Sequence, residues 1–559
     1  MKKKKIVHFT NLSSHIKSKK FDDFFLGKWC NLYSKNDKLF LHYKFKEKKN
    51  FKKIQENNLF FLSRALNDYH KTNYSKNFWK ILLYPWIYYF SYILSDRFDV
   101  IKKLKKIDNI DNFLVTDDKP NIIYEDFLHH VINIQTDIFN NNIFKDLINL
   151  ESKQKIKNFK TKKKISIKKN KKIIYQNYKD MFGFFSNKKI IFFDSGLPIK
   201  KNFSLYLKYH FFNNSVLIKK NKKIDLKFRK KISNTKILKN DFQTILNYMS
   251  LKYLPKSYLE NFKTFILNSK FESLNKNPKI ILTSHSHITD DMFKIWYAKI
   301  CEKNKKVKLF VFQKGSEYFL KDESTRKLSY QILDKKLTWG SFMDKEKKNL
   351  CLGLNSNLNY DLKKRKKIKI LYVCTEFPKY FFKNNSISHG PNFLDHILLH
   401  EKFFKNLNFK VIDKIDVKLY FDNFGWNIST RLKKINKKIN FIKETDISKL
   451  YNLYDIIIPS GPSTTFLECI YLNIPVVTLF ARNVWQVNDV TNNFLIKLKK
   501  KRVYFDNPIN ASKYLNNNLD KIKINWYSKS TQNTLNQFRK KFIVKNENFS
   551  SDLSKIIDN

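Results

Sequence analysis

Asp455-Ile-Ile-Ile-Pro-Ser-Gly-Pro-Ser-Thr-Thr-Phe-Leu-Glu468, followed by Cys469-Ile-Tyr-Leu-Asn-Ile-Pro-Val-Val-Thr-Leu-Phe480, is the stretch that decides the fold. Residues 455–459 read as a buried strand, Gly461 and Pro462 as a tight turn, Ser463 as the opening of a helix, and residues 476–480 as a second buried strand. The turn offers a glycine and then three hydroxyls, Ser463, Thr464 and Thr465, where unpaired backbone amides and a helix dipole favour an anion such as phosphate. Thr465 and Glu468 also fit the Thr-x-x-Glu capping box, so Glu468 either faces a ligand or satisfies its own helix start.

The same alternation extends outward. Residues 368–374, 417–421, 439–442 and 503–505 read as strands separated by helical stretches, with a last amphipathic helix over 526–542. Upstream, residues 279–284 form a buried strand, His285-Ser-His-Ile-Thr-Asp-Asp291 a polar loop, residues 291–302 a helix, and residues 307–313 a strand that closes on Lys314-Gly-Ser-Glu317. In such a unit the ligand side lies at the carboxyl ends of the strands, which is where His285, His287, Gln313, Lys314 and Gly315 emerge. The histidine loop has a plainer reading too, as a polar turn whose Thr289 or Asp290 caps the next helix. Alternating strands and helices mean parallel sheets covered on both faces. The expected fold is therefore α/β, with two Rossmann-like lobes, a cleft between them and additional N-terminal helices. The expected divisions are a basic lead over 1–20, an N-terminal lobe over 21–354, a linker over 355–367, a C-terminal lobe over 368–545 and a polar tail over 546–559. Residues 151–172, dense in lysine, read as solvated helix or loop, and 200–275 as mixed helix.

A chain of 559 residues is long enough for several domains. Its formal net charge of +61 suggests nucleic acid or an anionic surface, but lysine is spread over nearly the whole chain beside abundant Asn, Ile and Phe, while Gly (9) and Pro (11) are scarce. That pattern is the bias expected from an A+T-rich genome, and a global bias locates no site. No helix-turn-helix, zinc-finger or aromatic RNA-binding signature accompanies it, so no specific nucleic-acid partner is expected. The five cysteines, Cys30, Cys301, Cys351, Cys374 and Cys469, are dispersed and read as free thiols in a reducing compartment. Residues 81–94 form the most apolar run, too short to span a bilayer, and are expected as a buried helix, with in-plane membrane contact as the alternative. No secretory signal follows the basic N-terminus, so the expected location is cytoplasmic, with a peripheral inner-membrane contact left open.

The chain resembles a family of bacterial surface-carbohydrate transferases with a glycosyltransferase-B-like (GT-B-like) fold. The residues that carry the resemblance are Leu26-Gly-Lys-Trp-Cys30 with Tyr33, Tyr74 through Trp79 to Trp86 with Asp96-Arg97, and Thr375-Glu-Phe-Pro-Lys-Tyr380. Val417-Lys-Leu-Tyr420 with Gly425-Trp426, Thr464-Thr-Phe-Leu-Glu468 with Asn473-Ile-Pro475, and Trp526 complete the set. The resemblance implies a nucleotide-activated sugar donor in the C-terminal lobe and a carbohydrate or lipid-linked acceptor at the N-terminal lobe. It implies that His285, His287 or Glu376 acts as the catalytic group. Gly461, Ser463, Thr464 and Thr465 would hold the donor phosphates, Glu468 the ribose or the sugar, and Arg482 and Lys379 would offset the leaving diphosphate's charge, with Gln313, Lys314, Gly315 and Trp29 lining the cleft. Where resembling proteins have Gln-His-Gly-Gly, this chain has Gln313-Lys-Gly-Ser316, and a lysine in its ordinary charged form is no general base. The sequence has no Asp-x-Asp, so no metal or other cofactor is expected. Two other readings use the same features: a phosphotransferase moving a polyol phosphate from a cytidine-activated (CDP-glycerol-type) donor, and a non-catalytic anion-binding scaffold.

Overall fold

The computed structural model describes residues 4–13, 22–27, 30, 41, 45–116, 123–151, 155–160, 187–212, 223–231, 241–269, 277–342, 348–361, 367–384, 386–387 and 389–558. Within them lie three parallel sheet systems. The first contains β1 (Lys5–His8), β2 (Asp22–Phe25), β3 (Ile110–Thr116) and β4 (Lys155–Phe159) in the order β2-β1-β3-β4. The second contains β5 (Asn187–Phe193), β6 (Tyr209–Phe212), β7 (Ile280–Thr283), β8 (Lys308–Phe312), β9 (Lys335–Thr338) and β10 (Asn349–Cys351) in the order β10-β9-β8-β7-β5-β6. The third contains β11 (Ile370–Val373), β12 (Ile415–Lys418), β13 (Asn440–Ile442) and β14 (Ile456–Pro459) in the order β13-β12-β11-β14. It continues through a parallel bridge between Ile457 and Val476 into β15 (Thr478–Leu479) and β16 (Tyr504–Phe505).

Counted from its own first strand, the third sheet runs 3-2-1-4-5-6 and the second 2-1-3-4-5-6, the two orders of doubly wound nucleotide-binding sheets. These are the two Rossmann-like lobes. The first sheet is an addition that strand-helix alternation did not reveal, and two expectations change with it. Residues 1–20 are not only a loose lead, because Ile6 and Val7 in β1 are buried between β2 and β3. The lysine-rich stretch after Glu151 contains β4, which pairs along its length with β3. Strands of four or five residues among lysines carry too little apolar periodicity to be recognised alone. The tail is not merely polar either: Phe549, Leu553 and Ile557 lie four residues apart on the helix Phe549–Asp558 and pack with Ile280, Phe310 and Leu337 of the second sheet. Residues 200–275 also include a strand, β6, beside their helices.

Two helices, Phe51–His70 and Lys76–Leu104, share a core with the other face of that sheet, Lys76–Leu104 packing on the helix Asp291–Lys303. Every residue from 81 to 95 is buried, so the most apolar run of the chain is core. A helix that is apolar around its whole circumference has no face to offer water. Among the described residues, no helix is long and apolar enough to cross a membrane.

Asp290 caps the helix Asp291–Lys303, accepting from the amides of Met292 (2.9 Å) and Phe293 (3.2 Å). Burial pushes its carboxyl up from 3.8 to about 7, with Asp291 adding to the rise and the two amides opposing it. The unfolded chain therefore releases this proton first, and stability present below about pH 4 is lost as pH rises toward 7. Asp290→Asn keeps a capping oxygen without the charge. Because Asp290 retains some solvent contact, the expected gain at pH 8 is modest, about 1 kcal/mol. It is read as a smaller fall in melting temperature between pH 5 and 8, and parallel curves for the two proteins would contradict the assignment.

Candidate functional site

In an open α/β sheet, ligands bind beyond the carboxyl ends of the strands where the strand order reverses. In the C-terminal lobe that point lies between β11 and β14. Their register pairs Val373 with Pro459, so the loops beginning at Cys374 and Ser460 leave side by side. Ser460 Oγ accepts from the Thr375 amide at 2.8 Å, tying the loops together. Gly461 follows, and the space around it is already filled. A Cβ there would stand 3.1 Å from Trp485 Cζ2 and 3.2 Å from Thr375 Oγ1. Ser463 then caps the eight-residue helix Thr464–Tyr471 from an extended backbone (φ −96°, ψ 171°), without a side-chain cap bond. Its Oγ is buried and unpartnered. The amides of Thr464 and Thr465, in the first turn, have no acceptor within their own helix.

In the second sheet the reversal lies between β5 and β7. Phe193 pairs with Thr283, so Asp194 and Ser284 emerge together. Asp194, in a left-handed conformation (φ 46°), accepts from Ser284 Oγ through its carbonyl (3.0 Å) and from Ser286 Oγ through its carboxylate (3.2 Å). His285 stands between those serines, partly exposed, with Nδ1 buried and unpartnered. Burial lowers its imidazole to about 3, with Lys314, Lys336 and Lys383 adding to the effect, so the ring is neutral at physiological pH. His287 is 1% exposed and its Nε2 lies 2.8 Å from Ser329 Oγ. It is a core histidine, and a base must reach the proton it removes. The expectation that either histidine could serve therefore narrows to His285.

The two lobes meet at this place. Gln313 uses both ends of its amide to shape the loop after β8, accepting from Trp339 N (2.7 Å) and donating to Gly315 O (3.0 Å). Gly315 has φ 67°, and a Cβ on it would stand 3.0 Å from Thr464 Oγ1. Beyond it the chain is clamped to the C-terminal lobe. Leu320 bridges Val487, Asn488 Nδ2 donates to Tyr318 O (2.7 Å) and Phe319 O (3.0 Å), and Phe319 joins the core of Phe466 and Phe542. The Gly461 corner thus faces the lobe that carries His285.

The other expected residues divide. Glu376 is buried in the loop after β11, where Oε1 accepts from the amides of Phe424 (3.1 Å) and Trp426 (3.4 Å). Burial raises its carboxyl to about 7 against those two bonds. It pins the segment that contains Gly425. Lys379 packs behind that glycine, where a Cβ would lie 2.7 Å from Nζ, and it is 6% exposed with no ion pair among the described residues. Glu468 is the fifth residue of its helix, so the capping box does not form. Its carboxylate instead accepts from Tyr451 OH, and burial raises it to about 7. Arg482 Nη1 donates to Asn492 Oδ1, and its Nε is buried without a partner. No described contact joins Arg482 to Gly461–Thr465. Lys314 is exposed, its amide directed to Glu317 Oε1 at 3.3 Å. Trp29 lies outside the described residues.

Three residues of the crevice were not singled out from the sequence: Thr375, Trp485 and Asp194. Thr375 begins a segment already marked by the resemblance and Trp485 is a tryptophan soon after a strand, but only pairing across the sheet puts both against Gly461. Asn473 and Trp526, in contrast, are structural. Asn473 (φ 59°) follows the helix end, and its Oδ1 accepts from Trp526 Nε1 (3.0 Å), Gln532 Nε2 (3.1 Å) and Arg539 Nη2 (2.8 Å). Among the described residues no group of three or more His, Cys, Asp or Glu side chains is placed to hold a metal ion.

Two Rossmann-like lobes, with the switch-point corner of one packed against the loop after β8 of the other, make a GT-B-type fold. The chain belongs to the LIC12162 family of transferases, whose family model matches residues 5–557. No curated protein matches the sequence. Similar solved structures include the MnaA–UDP complex of S. aureus (12% identity, 66% of this chain and 95% of that one, TM-score 0.35). Others are a trehalose-6-phosphate synthase (9%, 66% and 99%, 0.35) and WaaG, a glycosyltransferase involved in lipopolysaccharide biosynthesis (10%, 66% and 99%, 0.31). Likenesses this distant carry no argument, and the fold rests on the strand orders.

Proposed function

We propose that this transferase is a glycosyltransferase that moves a sugar from a nucleotide-activated donor to a cell-envelope carbohydrate or lipid-linked acceptor. The observation that carries the reading is the contact of Gly315 with Thr464, which puts an anion-accepting helix start of one lobe against the loop after β8 of the other, next to the strand that ends at the His285 loop. The donor diphosphate lies against the amides of Thr464 and Thr465 and the free Ser463 hydroxyl, on the side closed by Gly461 and Trp485. Lys314 and Lys379 add positive charge as the leaving group forms. The bond from the sugar's anomeric carbon to the diphosphate oxygen breaks, and its electron pair leaves with the nucleotide. The acceptor oxygen forms the new bond to that carbon, and its proton passes to His285.

The low basicity of His285 has a use in this scheme. Part of it comes from three nearby ammonium groups. A bound diphosphate offsets their charge, so the imidazole becomes a better base only when donor is present.

The test combines calorimetry against a panel of nucleotides with mass spectrometry of the products formed from cell-envelope precursors. Saturable binding of one nucleotide and a product heavier by a sugar are expected, whereas added phosphorus would mean polyol-phosphate transfer. Thr464→Ala raises the donor Kd about tenfold, a loss of about 1.4 kcal/mol. His285→Ala lowers kcat about 100-fold with donor binding intact. Unchanged donor affinity in both Ser463→Ala and Thr464→Ala would remove the phosphate corner.

A further inference from the structure

The buried run at residues 81–94 rules itself out as a membrane contact, but another segment presents what such a contact needs. After β5 the chain forms a 3-10 turn, Ile199–Lys201, and a short helix, Phe203–Lys208. Ile199, Phe203 and Leu207 follow one another at four-residue intervals and are 44%, 51% and 42% exposed. Lys200 and Lys201 stand exposed between them. The segment is firmly held. Leu205 is 1% exposed against the second sheet, the Tyr206 ring stacks on Phe211 at 3.6 Å, and Tyr206 OH donates to Leu197 O at 3.0 Å. Asn202 is fully buried and donates to Pro198 O at 2.7 Å. A rigid support thus keeps three large apolar side chains in water among lysines.

We propose that this face docks on an anionic phospholipid surface, the apolar side chains entering the interface and the lysines meeting the headgroups. The inference stands independently of the donor chemistry proposed above. The combination decides the occupant. A nucleic acid would engage the lysines but has no use for Ile, Phe and Leu. In a two-fold dimer this patch would face its own image and bring Lys200 and Lys201 of each copy together, in a chain already at +61. A bilayer with acidic headgroups satisfies both halves of the pattern. The placement suits an acceptor that is itself held in a membrane. The segment begins five residues after Asp194, whose carboxylate holds Ser286 beside His285.

Flotation of the full chain with vesicles tests this. The protein is expected to float with 70:30 phosphatidylcholine:phosphatidylglycerol vesicles at least ten times more strongly than with pure phosphatidylcholine, and less as salt is raised. The double variant Phe203→Ser/Leu207→Ser, altered only at exposed positions, should lose at least tenfold of that binding at an unchanged melting temperature. Ile524→Ser, a control in the C-terminal lobe at a position 73% exposed, should lose none. Three results would overturn the proposal. They are absence of binding to the anionic vesicles, undiminished binding by the double variant, which means attraction by overall charge alone, and a wild-type dimer that the double variant dissociates, which makes a second copy the occupant.

Discussion

Gly461→Ala is expected to weaken donor binding about 100-fold, or about 2.7 kcal/mol, while costing the fold only about 1 kcal/mol. The backbone tolerates a side chain there, but the space does not. The added carbon would meet Trp485 at 3.1 Å and Thr375 Oγ1 at 3.2 Å, and neither can easily retreat. Trp485 is 4% exposed and bridges Ile387, and the Thr375 amide is bonded to Ser460 Oγ at 2.8 Å. The strain is therefore relieved by moving the 461–463 turn. That displaces the Ser463 hydroxyl and the first-turn amides, whose value to a phosphate depends on tenths of an ångström. Calorimetry with the nucleotide selected by the panel, beside a thermal melt, separates the two effects. Donor affinity equal to wild type would mean that the diphosphate does not sit on this corner.

The second large effect concerns the support under the opposing loop. Lys336 Nζ and Glu317 Oε1 form a 2.8 Å ion pair with side chains 2% and 4% exposed, and the same carboxylate oxygen accepts from the Lys314 amide. Lys336→Met leaves a buried carboxylate without its cation, a change that costs about 3–5 kcal/mol in such settings. Burial already raises the Glu317 carboxyl despite Lys336, and without the lysine it rises further. The destabilisation should therefore grow as pH increases from the ordinary glutamate value of 4.5 toward that raised value, and fade in acid, where both states hold the proton. Lys336→Met/Glu317→Gln should recover most of the loss. Urea unfolding of the two single variants and the double variant at pH 5 and pH 8 measures the pair. A loss below about 1 kcal/mol at pH 8 would show that the pair contributes little. Because Lys336 also helps hold down the His285 imidazole, His285 in the variant should titrate at a higher pH.

The C-terminal unit was legible in the sequence because its signals are local. Three isoleucines and a proline form β14, Gly461-Pro462 turns the chain, and Val476 onward returns to the sheet, all within 25 residues of chain. Parallel pairing follows from strand-helix alternation in the same local way, and so did the two lobes. What the side chains do at the crevice was another matter. His285 and His287 are alike in sequence, but one stands at a strand end beside Asp194 and the other turns into the core against Ser329. Glu468 read equally well as a cap or a ligand group, and the structure gives it to Tyr451, which precedes it by 17 residues. Gly461 and Thr375 become neighbours only because β11 and β14 pair across 86 residues of chain, and Gly315 reaches Thr464 only because the lobes close on each other. Periodicity and turn chemistry act over a few residues, so the sequence by itself determined which segments become strands and helices and which loops end beside them. Direction, burial and partner of each side chain depend on what a distant segment brings alongside, and only the tertiary structure decided those.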